Sequence, residues 1–264
     1  MKTARPWLKK ALILLFWLLL WQVFAAAVHN RIFLVGPADT LKALGALMGS
    51  PSFWLSIWFS FARICLGFFL ALAAGLITGS LSFWKPFFGD FLAPAIQFMK
   101  SIPVASFVIL ALIWTGSENL SVFISFLVVY PIIHVNTVAG LVSTDPKLLE
   151  MAAVFRVPLP RRAFFLYRPA LSPYLTSACK TALGMGFKSG IAAEVIGVPD
   201  GSIGAGLYMA KIYLSTADLF AWTLTIIVVS SLFERAVLWG MGMLLGRESQ
   251  KTASEENTGS EETI

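Results

Sequence analysis

Charged residues are scarce in this chain of 264 residues, where Asp, Glu, Lys and Arg make up 13% and apolar residues make up 58%. A soluble domain has about 25% charged residues, so this deficit indicates a membrane protein rather than a large-core enzyme. The net charge of +6 does not form one basic face, because the cations lie in short connections and near the N-terminus. We therefore expect no nucleic-acid partner, since this distribution is typical of the positive-inside rule.

Residues that bind metals or form disulfides are also rare. Cys65 and Cys179 each lie in an apolar run, without a second Cys or His at ligand spacing. His29 and His134 are too scattered for a metal cluster, and we expect His134 to be a packed or interfacial side chain. The G-x-x-x-x-G-K-[ST] phosphate loop is absent as well. The sequence thus predicts no cofactor, and no ATP binding by that route.

The first apolar run covers residues 11–28, which contain a single polar residue, Gln22. This run is about long enough to cross the hydrocarbon core of a bilayer. Because Ala25-Ala26-Ala27 also resembles a cleavage site, a removed signal peptide is the alternative to a retained anchor. We favour the anchor, since the run is long for a signal core and rich in Trp.

Five further apolar runs predict membrane spans. The segment Lys100-Ser101-Ile102-Pro103 interrupts the second of these five, and Pro131 predicts a kink in the third. A proline at residue 37 predicts a short helix on the outer surface, and Gly75 and Gly79 permit close helix packing. These spans are expected at about 57–81, 87–114, 120–141, 169–191 and 219–239, with an outer turn at 115–119 and a Gly-rich outer segment at 192–216.

The distribution of Lys and Arg predicts the topology. Most of these cations lie in the segments that six spans would place inside, so we expect both termini in the cytoplasm. The inside segments contain Lys2, Arg5, Lys9, Lys10, Lys85, Lys147, Arg156, Arg161, Arg162, Arg168, Arg247 and Lys251, and the outside segments contain Arg31, Lys42 and Lys211.

A polar, helix-forming segment at about 142–168 lies between two of the long apolar runs. Thr144 or Asp145 can cap a helix there, and Pro146 suits its first turn. One apolar stripe recurs at helical spacing along it and consists of Leu148, Leu149, Ala152 and Phe155. Such a helix can lie on the membrane surface and dock a partner.

The same segment carries a resemblance to a known family. Glu150-Met151-Ala152, followed by Leu166-Tyr167-Arg168-Pro169, resembles the EAA loop of ABC-importer permeases. The order and spacing of the matches are similar to those of nitrate, sulfonate and taurine importers. Further matching segments are Ser60-Phe61-Ala62-Arg63 with Gly67-Phe68, Lys100-Ser101-Ile102-Pro103, Pro131 with Asn136-Thr137 and Gly140-Leu141, and Ala193-Glu194-Val195.

The resemblance implies an all-α, polytopic bundle of about six transmembrane helices in the bacterial cytoplasmic (inner) membrane, with a cytoplasmic EAA-type coupling loop. It implies a permease domain over 1–246 and a polar, disordered cytoplasmic tail over 247–264. The chain would not be an enzyme. Its expected partners are ABC ATPase subunits, a second permease copy in a homodimer, an extracytoplasmic solute-binding protein and membrane lipid.

The resemblance also implies roles for particular residues. The expected ATPase-coupling residues are Glu150, Met151, Ala152, Phe155, Arg156, Leu166 and Pro169. The translocation path is predicted from the residues themselves, because irregular backbone and lysines at membrane depth need water, protein or substrate beside them, and it includes Lys100, Ser101, Pro103 and Lys188. The solute would be a small anion similar to nitrate, a sulfonate or taurine, although the sequence does not identify it. Two departures from the family are Arg156, where Gly is usual, and Arg168, where Leu is usual. Because Gly favours a positive φ at a helix end, we expect this helix to end differently.

Alternative interpretations remain open from the sequence. A stand-alone secondary transporter or channel would leave the loop at 142–168 without a use. An intramembrane hydrolase would need Ser189 and His134 within hydrogen-bond reach, and Ser189 lacks the G-x-S-x-G pattern. The two lysines also have a simpler interpretation, in which Lys100 snorkels to an interface and Lys188 pairs with an acid such as Glu194.

Overall fold

The computed structural model describes residues 6–28 and 33–245, and this part of the chain is helical without strands. Our predictions for His29, for the 247–264 tail and for the terminal cations fall outside it. The elements are α1 (Pro6–Val28), α2 (Pro37–Met48), α3 (Pro51–Trp84), α4 (Pro86–Ser101), α5 (Val104–Val142), α6 (Pro146–Val154), α7 (Leu159–Arg162), a π-helical turn (Ala163–Tyr167), α8 (Arg168–Gly197), α9 (Ile203–Ile212) and α10 (Thr216–Leu245).

Prolines mark the starts of several helices. Pro37, Pro51, Pro86 and Pro146 each lie in the first turn, where the missing N–H is not needed for an intrahelical bond. The predicted starts at residues 37 and 146 are therefore confirmed.

Helix α5 is a hairpin of two arms rather than one straight rod. Gly116 leaves the helical region with φ 70° and ψ 170°. The rings of Phe107 and Phe123, one on each arm, stack with centroids 6.2 Å apart. On a straight helix these two residues would lie about 24 Å apart, so the chain reverses at Gly116. The turn predicted at 115–119 is confirmed, and its position on the outer side stays a prediction. The backbone dihedrals stay helical through Pro131, where we predicted a kink.

The core forms where α3, the second arm of α5 and α8 pack together, and small residues allow the close approach. A Cβ placed on Gly75 would lie 2.8 Å from the Ile133 side chain, and one on Gly79 would lie 2.7 Å from Thr137. The packing predicted for these two glycines is thus confirmed. Gly186 of α8 similarly faces Val129 of α5, so these neighbouring helices are antiparallel near their middles.

Among the residues that the structure describes, four helices are long and apolar enough to cross a membrane: Leu8–Val28, Pro51–Trp84, Val104–Val142 and Thr216–Met243. Helix α8, where we predicted the fifth span, is not among them. Its 30 residues include Lys180, Lys188 and Glu194, which lower its hydropathy although its length suffices. The molecule is an all-α membrane bundle, and six crossings remain a prediction.

The chain after the predicted fifth span is more helical than we expected. Helix α8 continues to Gly197, and α9 occupies much of the predicted Gly-rich segment at 192–216. Glycine here serves close packing, because a Cβ on Gly206 would lie 2.6 Å from the Trp222 ring. The high glycine content of this segment therefore gave no indication of α9, which packs tightly on α10.

Candidate functional site

The segment 143–167 lies at one end of the helical bundle. Helix α5 ends at Val142 and α8 begins at Arg168, and their antiparallel packing brings these two ends together. Gly140 near the end of α5 faces Leu171 near the start of α8, where a Cβ would approach the leucine side chain to 2.8 Å. The segment therefore forms a compact cap of α6, α7 and the π-helical turn beyond the long helices.

The start of α6 is built as the sequence predicts. The Asp145 carboxylate accepts a hydrogen bond from the backbone N–H of Lys147 at 2.9 Å, and Pro146 occupies the first turn. Of the two predicted capping residues, Asp145 fills the role. A side-chain cap of this kind stabilises a helix by about 1 kcal/mol.

The end of α6 corrects our expectation for Arg156. This residue adopts the left-handed conformation with φ 50°, as a glycine would. Its N–H donates to the Ala153 carbonyl at 3.0 Å, and the N–H of Val157 donates to the Ala152 carbonyl at 2.9 Å. This pair of bonds is the Schellman pattern. The helix thus ends in the left-handed turn that a glycine would adopt, although an L-residue in this conformation costs about 1–2 kcal/mol.

Arg162 supports this turn from the following helix, which sequence reasoning missed. Its Nε donates to the Val157 carbonyl at 2.7 Å, and its Nη2 donates to the Ala152 carbonyl at 3.0 Å. Hydrogen bonds from a cation are stronger than neutral ones, and a helix C-terminus attracts positive charge. These contacts offset part of the strain at Arg156.

The apolar side chains of α6 and its C-terminal turn divide between the interior and the surface. Ala152 is 2% exposed and packs within the chain, whereas Met151, Val154 and Phe155 are 50%, 78% and 74% exposed. We call these three exposed residues the α6 surface. Glu150 and Arg156 are also exposed beside it. A short capped helix therefore holds apolar side chains outward at the end of the bundle.

The loop beyond α6 is anchored to α3 by aromatic contacts. The Tyr167 ring lies 5.6 Å from that of Phe83 and 5.7 Å from that of Trp84. Of the predicted residues, Leu166 is half-buried and Pro169 is exposed. Arg168, the second departure from the family, places its guanidinium 4.6 Å from the Phe164 ring centroid.

The predicted break in the third apolar run is confirmed. Helix α4 ends at Ser101, Ile102 and Pro103 are extended, and the first arm of α5 begins at Val104. Lys100, Ser101 and Pro103 are exposed. The Ser101 hydroxyl donates to the Gln97 carbonyl at 2.9 Å, which satisfies one carbonyl near the end of the helix.

Lys188 belongs to an exposed polar face of α8. Ser177, Thr181 and Lys188 are exposed on one side of this helix, and Gly184 between them has open space around it. These four positions recur at helical spacing, and they lie away from the face that packs on α5. A polar face at membrane depth needs water or protein beside it.

A second polar cluster lies at the opposite end of the bundle, and we call it the distal cluster. The Ser60 hydroxyl donates to the Glu194 carboxylate at 2.6 Å and accepts from the N–H of Ile203 at 2.9 Å. The N–H of Gly204 donates to the same carboxylate oxygen at 3.3 Å. Glu194 and Ser60 are fully buried. The pairing of Lys188 with Glu194 that we considered is therefore replaced by this cluster.

Arg63 forms an ion pair within the bundle. Its guanidinium lies 2.5 Å from the Glu118 carboxylate, and it also stacks 3.8 Å from the centre of the Phe59 ring. The pair joins α3 to the start of the second arm of α5.

Comparison with known proteins decides the family. Residues 67–239 match the family described as "Binding-protein-dependent transport system inner membrane component". The chain belongs to this family. Permeases of this family are non-enzymatic membrane subunits, and ATP hydrolysis belongs to a separate subunit. The recognition of an ABC-importer permease from the sequence is thereby confirmed.

Three curated permeases illustrate the similarity. The taurine transport system permease protein TauC of Escherichia coli (strain K12) is 24% identical, over 85% of this chain and 82% of its own. The bicarbonate transport system permease protein CmpB of Synechococcus elongatus is 26% identical, over 84% of each chain. The nitrate import permease protein NrtB of the same organism is 26% identical, over 76% of this chain and 75% of its own.

The permease has no hydrolase geometry at the residues we considered. His134 is buried, and its Nδ1 lies 2.9 Å from the Thr78 hydroxyl, which also accepts from Tyr130 at 3.2 Å. Gly190, the neighbour of Ser189, packs against Ser125, so Ser189 and Ser125 lie at a similar height along the bundle. Ser125 and His134 are nine positions apart on one helix, which corresponds to about 13 Å along its axis. Ser189 is therefore outside hydrogen-bond reach of His134. His134 is thus a packed histidine, as expected.

The described residues of the permease contain no group of three or more His, Cys, Asp or Glu side chains that could hold a metal. Cys65 and Cys179 are free thiols.

Proposed function

We propose that this permease forms the translocation path of an ABC importer for a small anion and couples transport to ATP hydrolysis on a partner subunit. The observation that carries the proposal is the α6 surface. Met151, Val154 and Phe155 are largely exposed on a helix that is capped at its start and clamped at its end. A short rigid helix with an outward apolar side suits a groove on a partner protein.

The ATPase subunit is the partner that fits this surface. Full burial of an apolar side chain is worth about 1.5–3 kcal/mol, so three such side chains supply a useful docking energy. Glu150 and Arg156 flank the apolar patch and offer charges of both signs at its rim. In this proposal Ala152 packs α6 against the rest of the permease, and Leu166 and Pro169 join the loop to α8.

We propose that the solute path runs along the third predicted span, which is interrupted at Pro103, and along the polar face of α8. Irregular backbone at membrane depth is tolerated beside protein or water, which supports placing Lys100, Ser101 and Pro103 near the route. Lys188 projects from a face that also carries Ser and Thr hydroxyls. The named solutes of the relatives, taurine, bicarbonate and nitrate, suit a path with cationic side chains.

The complete importer in this proposal contains two copies of the permease, two ATPases and an extracytoplasmic solute-binding protein. Six crossings would be made by α1, by α3, by α4 together with the first arm of α5, by the second arm of α5, by α8 and by α10. The excess of Lys and Arg on the α6 side supports cytoplasmic termini and a cytoplasmic loop.

A matched pair of phenylalanine variants tests the docking. Phe155 and Phe33 are 74% and 76% exposed, and only Phe155 belongs to the α6 surface. Phe155→Ser should weaken binding of the copurified ATPase roughly ten-fold or more, because central apolar anchors dominate interfaces. Phe33→Ser should bind the ATPase like the parent.

Pull-down of the ATPase and solute uptake in proteoliposomes provide the measurements. Equal ATPase binding by both variants would contradict the docking proposal. Failure of any ATPase to copurify with the parent would instead favour a stand-alone secondary transporter.

A further inference from the structure

The turn that ends α6 is connected directly to the helix that carries the polar face. Arg162 is the last residue of α7, which continues through the π-helical turn Ala163–Tyr167 into α8. The backbone is therefore helical from Leu159 to Gly197. The Arg162 guanidinium reaches back to α6, so this one side chain links the α6 surface to a helical segment that extends along the bundle.

The link has the geometry of a clamp. Nη2 of Arg162 binds the carbonyl of Ala152, before the strained residue Arg156, and Nε binds the carbonyl of Val157, after it. The Ala152 carbonyl also accepts the Val157 N–H at 2.9 Å, so both of its lone pairs are used. A planar guanidinium can hold two acceptors at fixed positions, which a lysine ammonium on a flexible stem does less well.

The clamp is needed because residue 156 is not glycine. Arg156 has φ 50°, and an L-residue leaves that conformation more readily than glycine does. If the turn relaxed, the orientation of α6 relative to α7 and α8 would no longer be fixed.

We propose that Arg162 is a positioning residue for coupling: it fixes the left-handed turn after α6 so that movement of the α6 surface is passed to α8 as a rigid unit. This inference rests on the proposed docking of the ATPase at the α6 surface. Arg162 itself needs no contact with the ATPase, because it acts through the carbonyl groups of Ala152 and Val157.

The first test measures the clamp without any partner. Hydrogen exchange of the full-length permease in nanodiscs follows the amides of Phe155, Arg156 and Val157, which are bonded within the turn. Arg162→Gln should accelerate their exchange about ten-fold, as expected for the loss of hydrogen bonds from a charged group. Arg161→Gln removes the same charge from the exposed neighbouring residue and should leave the exchange unchanged.

The second test measures coupling in the assembled importer. Proteoliposomes with the copurified ATPase give the solute taken up per ATP hydrolysed, a ratio that a simple loss of folded protein does not change. This ratio should fall in Arg162→Gln, fall less in Arg162→Lys, and remain at the parent value in Arg161→Gln. Adding Arg156→Gly to Arg162→Gln should restore slow exchange in the permease without a partner, because glycine adopts the turn without strain.

The outcomes separate this inference from the proposed function. Unchanged exchange in Arg162→Gln, or an equal effect of Arg161→Gln, would overturn the clamp. Faster exchange with an unchanged uptake ratio would overturn the positioning role of Arg162. The docking proposal would still stand in that case if Phe155→Ser lost ATPase binding. Failure of Arg156→Gly to restore slow exchange would show that Arg162 acts elsewhere than through the turn.

Discussion

Ser60→Ala should destabilise the permease by weakening the attachment of the start of α9 to α3 and α8. The Ser60 hydroxyl serves two partners at once, since it donates to the Glu194 carboxylate at 2.6 Å and accepts from the N–H of Ile203 at 2.9 Å. Alanine can do neither. The carboxylate oxygen would keep only the longer contact from the Gly204 N–H, at 3.3 Å, among the bonds of the distal cluster.

The magnitude follows from these two contacts. A hydrogen bond contributes about 0.5–1.5 kcal/mol net, and a buried donor left without a partner costs about 1–3 kcal/mol. Because Ser60 and Glu194 are fully buried and share one network, the two effects are not additive. We expect a loss of about 2–4 kcal/mol in the free energy of unfolding. For a chain of this size that corresponds to a fall in Tm of roughly 5–15 °C.

Thermal unfolding of the purified permease in one detergent, followed by tryptophan fluorescence, provides the measurement. Ser231→Ala is the control, because this exposed serine donates to the Ile227 carbonyl of its own helix. Glu194→Gln should lie between the two, since an amide oxygen still accepts from Ser60. If Ser60→Ala melted at the temperature of Ser231→Ala, the distal cluster would not stabilise the fold as described.

Three further predictions concern other parts of the bundle. Gly75→Val should cost about 1–3 kcal/mol in unfolding free energy, because its Cβ would lie 2.8 Å from Ile133, whereas Gly184→Ala, with open space around it, should melt like the parent. Asp145→Ala should remove about 1 kcal/mol of cap stability and speed amide exchange in the first turn of α6, leaving the melting of the bundle nearly unchanged. Lys188→Gln should raise the KM for anion uptake in proteoliposomes with little change in Tm, since this side chain is exposed; an unchanged KM would remove it from the path.

Features governed by local chemistry were predictable from the sequence. Apolar runs and prolines located the long helices, the capped start of α6 and the break at Pro103, because each depends on a few neighbouring residues. The periodic stripe of α6 was also found. Helical spacing alone, however, does not distinguish a helix side that packs on its own chain from one that faces a partner. Ala152 and Phe155 were therefore both assigned to the ATPase contact.

Features that depend on distant residues were missed or wrong. The expectation for Arg156 considered only its own backbone preference, whereas Arg162 supplies the compensating bonds from another helix. Ser60 and Glu194 were noted as parts of separate motifs, but their contact joins residues 134 positions apart in the chain. Neither partner can be inferred from one sequence, because only the folded topology brings them together.

The π-helical turn at Ala163–Tyr167 sets the angular register between Arg162 and the polar face of α8. Each residue of an α-helix advances the chain by about 100°, and a π-turn inserts one residue without ending the helix. The wider turn absorbs that residue, so the helical segments on either side keep their faces aligned. If an ordinary α-helix contained the same residue, Arg162 would be rotated by up to about 100° relative to Lys188, and its guanidinium would point away from the Ala152 and Val157 carbonyls. The five-residue π-helical turn therefore keeps Arg162 and the polar face of α8 in their relative orientation.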